Sequence, residues 1–204
     1  MRRSPPTPVK SISRRDVLKS LTMGVVAGSV LRVIPAEAAE FAHQAIATEK
    51  AASGGVYTPK YFSAQQYKLL QTLCQTIIPP DERSGGAIEA GAPQFIDLLT
   101  QENPDYQLML GGGMMWLDST CNDRYGKPYL DCAPDQQSQV LDLIAFRKNA
   151  KTDPSLGAGV EFFAFLRNLT ADGYFTSEIG IKDLQYIGNT YMKDFLGCPP
   201  VPEM

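Results

Sequence analysis

Side chains that hold metals or carry redox chemistry are scarce in this chain. Its 204 residues include one histidine, His43, and four cysteines, Cys74, Cys121, Cys132 and Cys198. A single imidazole in an Ala/Glu/Gln-rich stretch builds no haem pair, no zinc site and no Ser-His-Asp relay unaided. The cysteine spacings (47, 11 and 66 residues) fit neither paired zinc ligands nor iron–sulfur runs. Cys-x-x-Cys-His is absent, which excludes covalent c-type haem. No Gly-x-Gly-x-x-Gly fingerprint follows a strand, and no phosphate loop occurs. The one glycine run, Gly111-Gly112-Gly113, lacks the Lys-Ser/Thr of a phosphate cradle and reads as a kink or a close helix contact. No apolar run reaches the ~18–20 residues a membrane-spanning helix needs. Period-two alternation is almost missing, so strands are not expected.

Charge is present but unevenly placed. Residues 1–38 hold seven of the 19 basic residues and two of the 22 acidic ones, so the remainder carries −8. An acidic body repels phosphate backbones and argues against nucleic-acid binding. The basic head has the order of a signal peptide. Ser13-Arg14-Arg15-Asp16-Val17-Leu18-Lys19 closes a basic region, Ser20–Leu31 is mildly apolar, and Ala36-Glu37-Ala38 is a small-residue site with cleavage expected after Ala38. The Arg14-Arg15 pair followed by an apolar residue and Leu-Lys resembles a twin-arginine motif, with Val17 where Phe is commoner. That route exports chains already folded. A chain of this size then travels with a cofactor of its own or with a partner that carries one.

The chain divides into a signal peptide over 1–38, a loosely ordered segment over 39–59, with a loose helix over 39–52 broken at Ser53-Gly54-Gly55, and a helical domain over 60–204. Ser63 with Gln66 forms a capping box, and Tyr67, Leu70, Cys74, Ile77 and Ile78 line one face of the helix it starts. Pro79-Pro80 ends that helix, since proline lacks an amide donor. Further helices are predicted over about 93–102, 104–124, from Pro134, and over 155–170, with a short one near 182–188. Ala171-Asp172-Gly173 is expected to stop the fifth. The class is therefore all-α, an irregular bundle of about five to seven helices. Asp81-Glu82 reads as solvated loop charge. Cys121 and Cys132 flank a Tyr-Gly-Lys-Pro turn and are candidates for a local disulfide; buried free thiols, or a bridge from Cys198 to another chain, are the alternatives. Trp116, Tyr174, Phe175 and Cys198 are candidate partner contacts, the aromatics being types that concentrate at interface centres.

Several strings share an order with a known family. Leu73-Cys74-Gln75-Thr76-Ile77-Ile78-Pro79-Pro80 is followed by Gly86-Ala87-Ile88-Glu89-Ala90-Gly91-Ala92-Pro93-Gln94-Phe95-Ile96-Asp97. Then come Tyr125-Gly126-Lys127-Pro128-Tyr129, Phe162-Phe163 with Leu166-Arg167, Asp172-Gly173-Tyr174-Phe175-Thr176-Ser177, and Leu184-Gln185-Tyr186-Ile187-Gly188-Asn189. Over roughly residues 60–200 the chain resembles the gluconate 2-dehydrogenase subunit 3 family. The resemblance implies a small, non-catalytic subunit of a membrane-associated sugar or sugar-acid dehydrogenase. FAD would sit on a large partner of the glucose–methanol–choline (GMC) type, and a multihaem cytochrome c would complete some assemblies. The small subunit would carry the leader to the twin-arginine translocase and act in the periplasm beside the inner membrane. No catalytic, cofactor or metal residues carry over to this chain. The competing readings are a stand-alone periplasmic binding or structural protein, and an oxidoreductase with its own chromophore.

Overall fold

The computed structural model describes residues 35–188; Arg14, Arg15 and Cys198 lie outside them. Among the described residues there are eight α-helices, two 3-10 turns and no strand. The all-α class therefore stands, with one helix more than the upper expectation.

The helices are α1 (Ala36–Ala52), α2 (Ala64–Ile77), α3 (Ala92–Gln101), α4 (Pro104–Tyr125), α5 (Pro134–Ile144), α6 (Arg147–Thr152), α7 (Gly157–Phe175) and α8 (Glu178–Asp183). Local signals set most of the ends. Ser63 Oγ accepts from the Gln66 N–H at 3.3 Å and Gln66 Oε1 accepts from the Ser63 N–H at 3.1 Å, the reciprocal cap read from sequence. Asn103 caps α4 through the N–H groups of Asp105 and Tyr106. Gly126 closes α4 at φ 72°, in the left-handed region that costs glycine nothing.

Helix α7 is the axis, touching α2, α3, α4, α5, α6 and α8. Phe162 and Leu166 on α7, Phe95 and Ile96 on α3, Leu110 and Leu117 on α4, and Leu70 and Leu73 on α2 are all fully buried. Each such side chain contributes roughly 1.5–3 kcal/mol by leaving water. The α4–α7 contact is a reciprocal pair of knobs and holes. A Cβ on Gly113 would lie 2.0 Å from the Phe162 ring, and one on Gly159 would lie 2.5 Å from the Trp116 ring. Phe162 thus fills the hole on α4 while Trp116 fills the hole on α7, which brings two antiparallel backbones close. Gly111 and Gly112 have no such neighbour. The run is a close contact at Gly113 alone.

Three expectations are corrected. The loose helix expected over 39–52 is α1, which starts at Ala36 and docks on α3 by burying Ala38, Ala39, Ala42 and Ile46. His43 stacks on Phe95 with centroids 5.1 Å apart, and its Nε2 meets Thr176 Oγ1 at 2.9 Å. Second, α7 runs through Ala171-Asp172-Gly173 to Phe175. Gly173 is there for packing, because a Cβ would press on Phe95 and Ala92 at 3.0–3.1 Å. Third, the short last helix starts earlier than expected, at Glu178, because the Ser177 side chain accepts from the Gly180 N–H and caps it.

Candidate partner-docking surface

Exposed apolar side chains gather where α7 ends and α8 begins. Phe175 is 42 % exposed, Ile181 39 % and Leu184 57 %. Beside them lies a cleft of about 330 Å³ walled by the end of α2, the 78–91 loop and the ends of α7 and α8. The loop owes its shape to its own polar groups. Asp81 Oδ1 accepts from the Arg83 and Ser84 N–H groups at 2.8 Å each, and these two bonds hold the Asp81 carboxyl below the usual carboxylate range. The Ala87 N–H returns to the Ile78 carbonyl at 2.9 Å, and Glu89 accepts from the Gly86 N–H. Arg83 then pairs with Asp183 on α8 at 2.7 Å, and Ser84 Oγ meets the Tyr174 hydroxyl at 2.9 Å. Loop, α7 and α8 therefore form one polar-stitched corner with an apolar rim. Arginine and aromatic residues are enriched at protein interfaces, and here Arg83 stands neutralised by Asp183 beside the exposed Phe175.

The predicted contact residues separate on this frame. Phe175 stands on the rim. Tyr174 is only 4 % exposed and serves as an internal post, holding Ser84 on one side and standing 3.5 Å from Asp183 on the other. Trp116 is half-buried on Gly159, at the opposite end of α7 and about 22 Å away along that helix. Tyr174 is buried and Trp116 half-buried, so of these three aromatics Phe175 has the most exposed side chain.

The remaining candidates fall elsewhere. Cys121 and Cys132 are neighbouring buried thiols, and Cys74 is a third free thiol, pushed up to about 12 by burial. Burial, then the proximity of Cys132, likewise pushes the Cys121 thiol up to about 12, so neither Cys74 nor Cys121 has the character of a reactive thiolate. Ala36 and Ala38 occupy the first turn of α1, with the Ala38 side chain buried. Among the described residues no group of His, Cys, Asp and Glu is placed to hold a metal. No described helix is long and apolar enough to cross a membrane.

One decisive residue escaped the sequence reading. Asp97 on α3 is fully buried, and its carboxylate accepts from the Tyr57 hydroxyl at 2.8 Å and from the Lys60, Tyr61 and Phe62 N–H groups at 2.6–3.1 Å. It ties the link between α1 and α2 to the core. The available signal was a lone carboxylate inside Phe95-Ile96-x-Leu98-Leu99.

Compared with known proteins, residues 64–193 match the family described as gluconate 2-dehydrogenase subunit 3. No curated protein and no solved structure matches the chain.

Proposed function

Because the chain belongs to the gluconate 2-dehydrogenase subunit 3 family, we propose that it is a non-catalytic small subunit that escorts a large flavoprotein dehydrogenase out of the cytoplasm. The match over residues 64–193 carries this reading, and it covers all of α2–α8. The family description supplies a dehydrogenase as partner. The Arg14-Arg15 leader supplies the route. The apolar corner around Phe175 and Leu184 supplies a surface for the partner to cover.

The physical role of such a subunit is mass action. A chain that binds only the folded, FAD-loaded partner stabilises that state by RT ln(1 + [L]/Kd), about 2.7 kcal/mol at a hundredfold excess over Kd. It also lends that state a leader the partner lacks, so export selects for the finished flavoprotein. FAD and the sugar or sugar-acid oxidation belong to the partner, and electrons pass to the membrane quinone pool through a cytochrome c where one is present. The test is replacement of Arg14 and Arg15 by Lys in cells making both subunits. Both proteins are then expected to remain in the cytoplasm. A large subunit that still reached the periplasm would remove the escort role.

A further inference from the structure

An open groove of about 740 Å³ runs between α1 and α3, and the charges on its rim at Lys60 and Glu49 are paired with each other. Unpaired positive charge gathers elsewhere, on α6. Beyond position 38 the chain carries −8, yet Arg147, Lys148 and Lys151 stand within five consecutive positions. All three are exposed, and among the described residues none is paired with a carboxylate. Two acids flank the segment. Asp153 is held by the Ser155 N–H and hydroxyl at 3.0 and 2.6 Å and lies in the field of Arg124. Asp142 stands on α5, outside ion-pair reach of the three cations.

Local chemistry opposes this arrangement. Arg147 and Lys148 occupy the first turn, where the helix dipole favours acids. Lys151 repels Arg147 at i, i+4 and Lys148 at i, i+3. Phe146 takes the N-cap, a place for Ser, Asp or Asn, with no cap hydrogen bond and with 56 % of its surface exposed. The helix is held from the side instead. Asn149 Nδ2 donates to the Asp142 and Leu143 carbonyls at 3.2 and 2.9 Å, and Ala150 packs on the core. That anchorage leaves Phe146 and the three cations outward together, with Lys148 Nζ 5.3 Å from the centre of the Phe146 ring.

We propose that this face of α6 is a contact for an anionic lipid surface. Phe146 enters the boundary between headgroups and acyl chains, and Arg147, Lys148 and Lys151 meet the lipid phosphates around it. An exposed aromatic among unpaired cations is the composition of interfacial anchors, where apolar burial and attraction to anionic headgroups add. One turn with three cations binds weakly alone, so it orients a complex at the surface rather than anchoring it. The corner around Phe175 lies at the far end of α7, about 27 Å along that helix from Gly157, whereas α6 packs near its start. A partner on the corner therefore leaves α6 free to reach a bilayer.

The test uses the full-length chain with Phe146→benzoylphenylalanine and vesicles of phosphatidylglycerol and phosphatidylcholine in equal parts. Irradiation is expected to attach lipid to the peptide carrying position 146. Vesicles of phosphatidylcholine alone should give about tenfold less adduct. Arg147→Gln, Lys148→Gln and Lys151→Gln together should cut the adduct on the mixed vesicles by a similar factor at equal bound protein. The basic residues before position 38 act alike in every variant and cannot place lipid on position 146. An unchanged Tm shows that the triple variant keeps its fold, as exposed substitutions do. No adduct on the mixed vesicles, equal adducts on both vesicle types, or equal adducts with and without the cations would overturn the proposal. So would lipid attached through Leu184→benzoylphenylalanine instead, which would turn the corner to the membrane. A chain that ignores vesicles, but whose triple variant loses the large dehydrogenase, would give α6 to an acidic protein face and overturn it too. The adduct at position 146 depends on neither the export nor the escort reading, so each can fail alone.

Discussion

Asp97 shows how one side chain fixes a boundary that composition leaves open. A buried carboxylate is costly unless its oxygens are satisfied, and here four donors converge on it. Burial and then the hydrogen bond to Asp97 raise the Tyr57 hydroxyl well above the ordinary tyrosine range, so it remains a donor at any physiological pH. Asp97→Asn keeps the shape but offers one acceptor oxygen and turns an NH2 toward backbone N–H groups. A loss of roughly 2–4 kcal/mol is expected, read as a lower midpoint in urea unfolding. His43 makes a second prediction at this scale. The Thr176 hydroxyl donates to the Asp172 carbonyl at 2.6 Å, so toward His43 it accepts, and the imidazole carries its proton on Nε2. Burial lowers the His43 pKa, so the folded chain favours the neutral ring while the unfolded chain titrates near 6.5. Its contribution is complete above about pH 6.5 and is lost as the pH falls through that value toward the lower folded pKa. The difference in unfolding free energy between wild type and His43→Gln should shrink between pH 7 and 5. A difference that stays constant would remove the neutral ring from the account.

Among the elements, those written in short-range chemistry were legible and those set by long-range packing were not. The Ser63–Gln66 box, the stop at Pro79-Pro80, the Pro104 and Pro134 starts and the Gly126 turn each depend on residues within four positions, and each appears where the sequence places it. The extension of α7 past Gly173 depends on α3 lying against it, and the order of α1 depends on Phe95, Asp97 and Thr176 far along the chain. No local pattern states those contacts. Gly111-Gly112-Gly113 divides along the same line. Gly113→Ala drives a methyl into the Phe162 ring and is expected to cost about 3 kcal/mol or more. Gly111→Ala and Gly112→Ala meet open space and should stabilise α4 by up to about 1 kcal/mol each. Thermal unfolding of the three single variants checks this, and equal effects would refute the knob-and-hole packing. The link from α4 to α5 carries the second prediction at this scale. Tyr129 is fully buried there, with its N–H given to Asp118 and its carbonyl accepting from Gln137. We propose that Cys121 and Cys132, free thiols here, join when a disulfide carrier is supplied, two thiols giving one disulfide while two electrons and two protons reduce the carrier's disulfide to two thiols. A ring this short adds about 2–3 kcal/mol. Adding reductant should then lower the Tm of the exported protein, and Cys132→Ala should abolish that response.

For the whole molecule, the order of parts was readable in the sequence, while the exposure of individual side chains was not. A helical body and a set of family strings follow one another along the chain, and the match over residues 64–193 bears the strings out. The apolar corner is a property of the folded surface, made from residues of α7 and α8 together with a loop some 90 positions earlier. Of the aromatics chosen by residue type, Tyr174 is buried and Trp116 half-buried, while Phe175, Ile181 and Leu184, all within the segment expected to face a partner, are exposed. The same geometry separates stability from association. Phe175 and Leu184 contribute little to the core, and substitutions at exposed positions usually change stability by no more than about 0.5 kcal/mol. A charge in the centre of a dry interface costs far more, because it must be stripped of water with no partner to meet it. Phe175→Asp with Leu184→Asp should therefore leave the Tm of the isolated small subunit nearly unchanged while the large dehydrogenase no longer co-purifies. The exported pool should then hold small subunit without its companion. Gln44→Asp, on the exposed edge of the α1–α3 groove, is the matched control and should leave the complex whole. If the corner variant still brings down the large subunit at wild-type yield, the partner sits on another face.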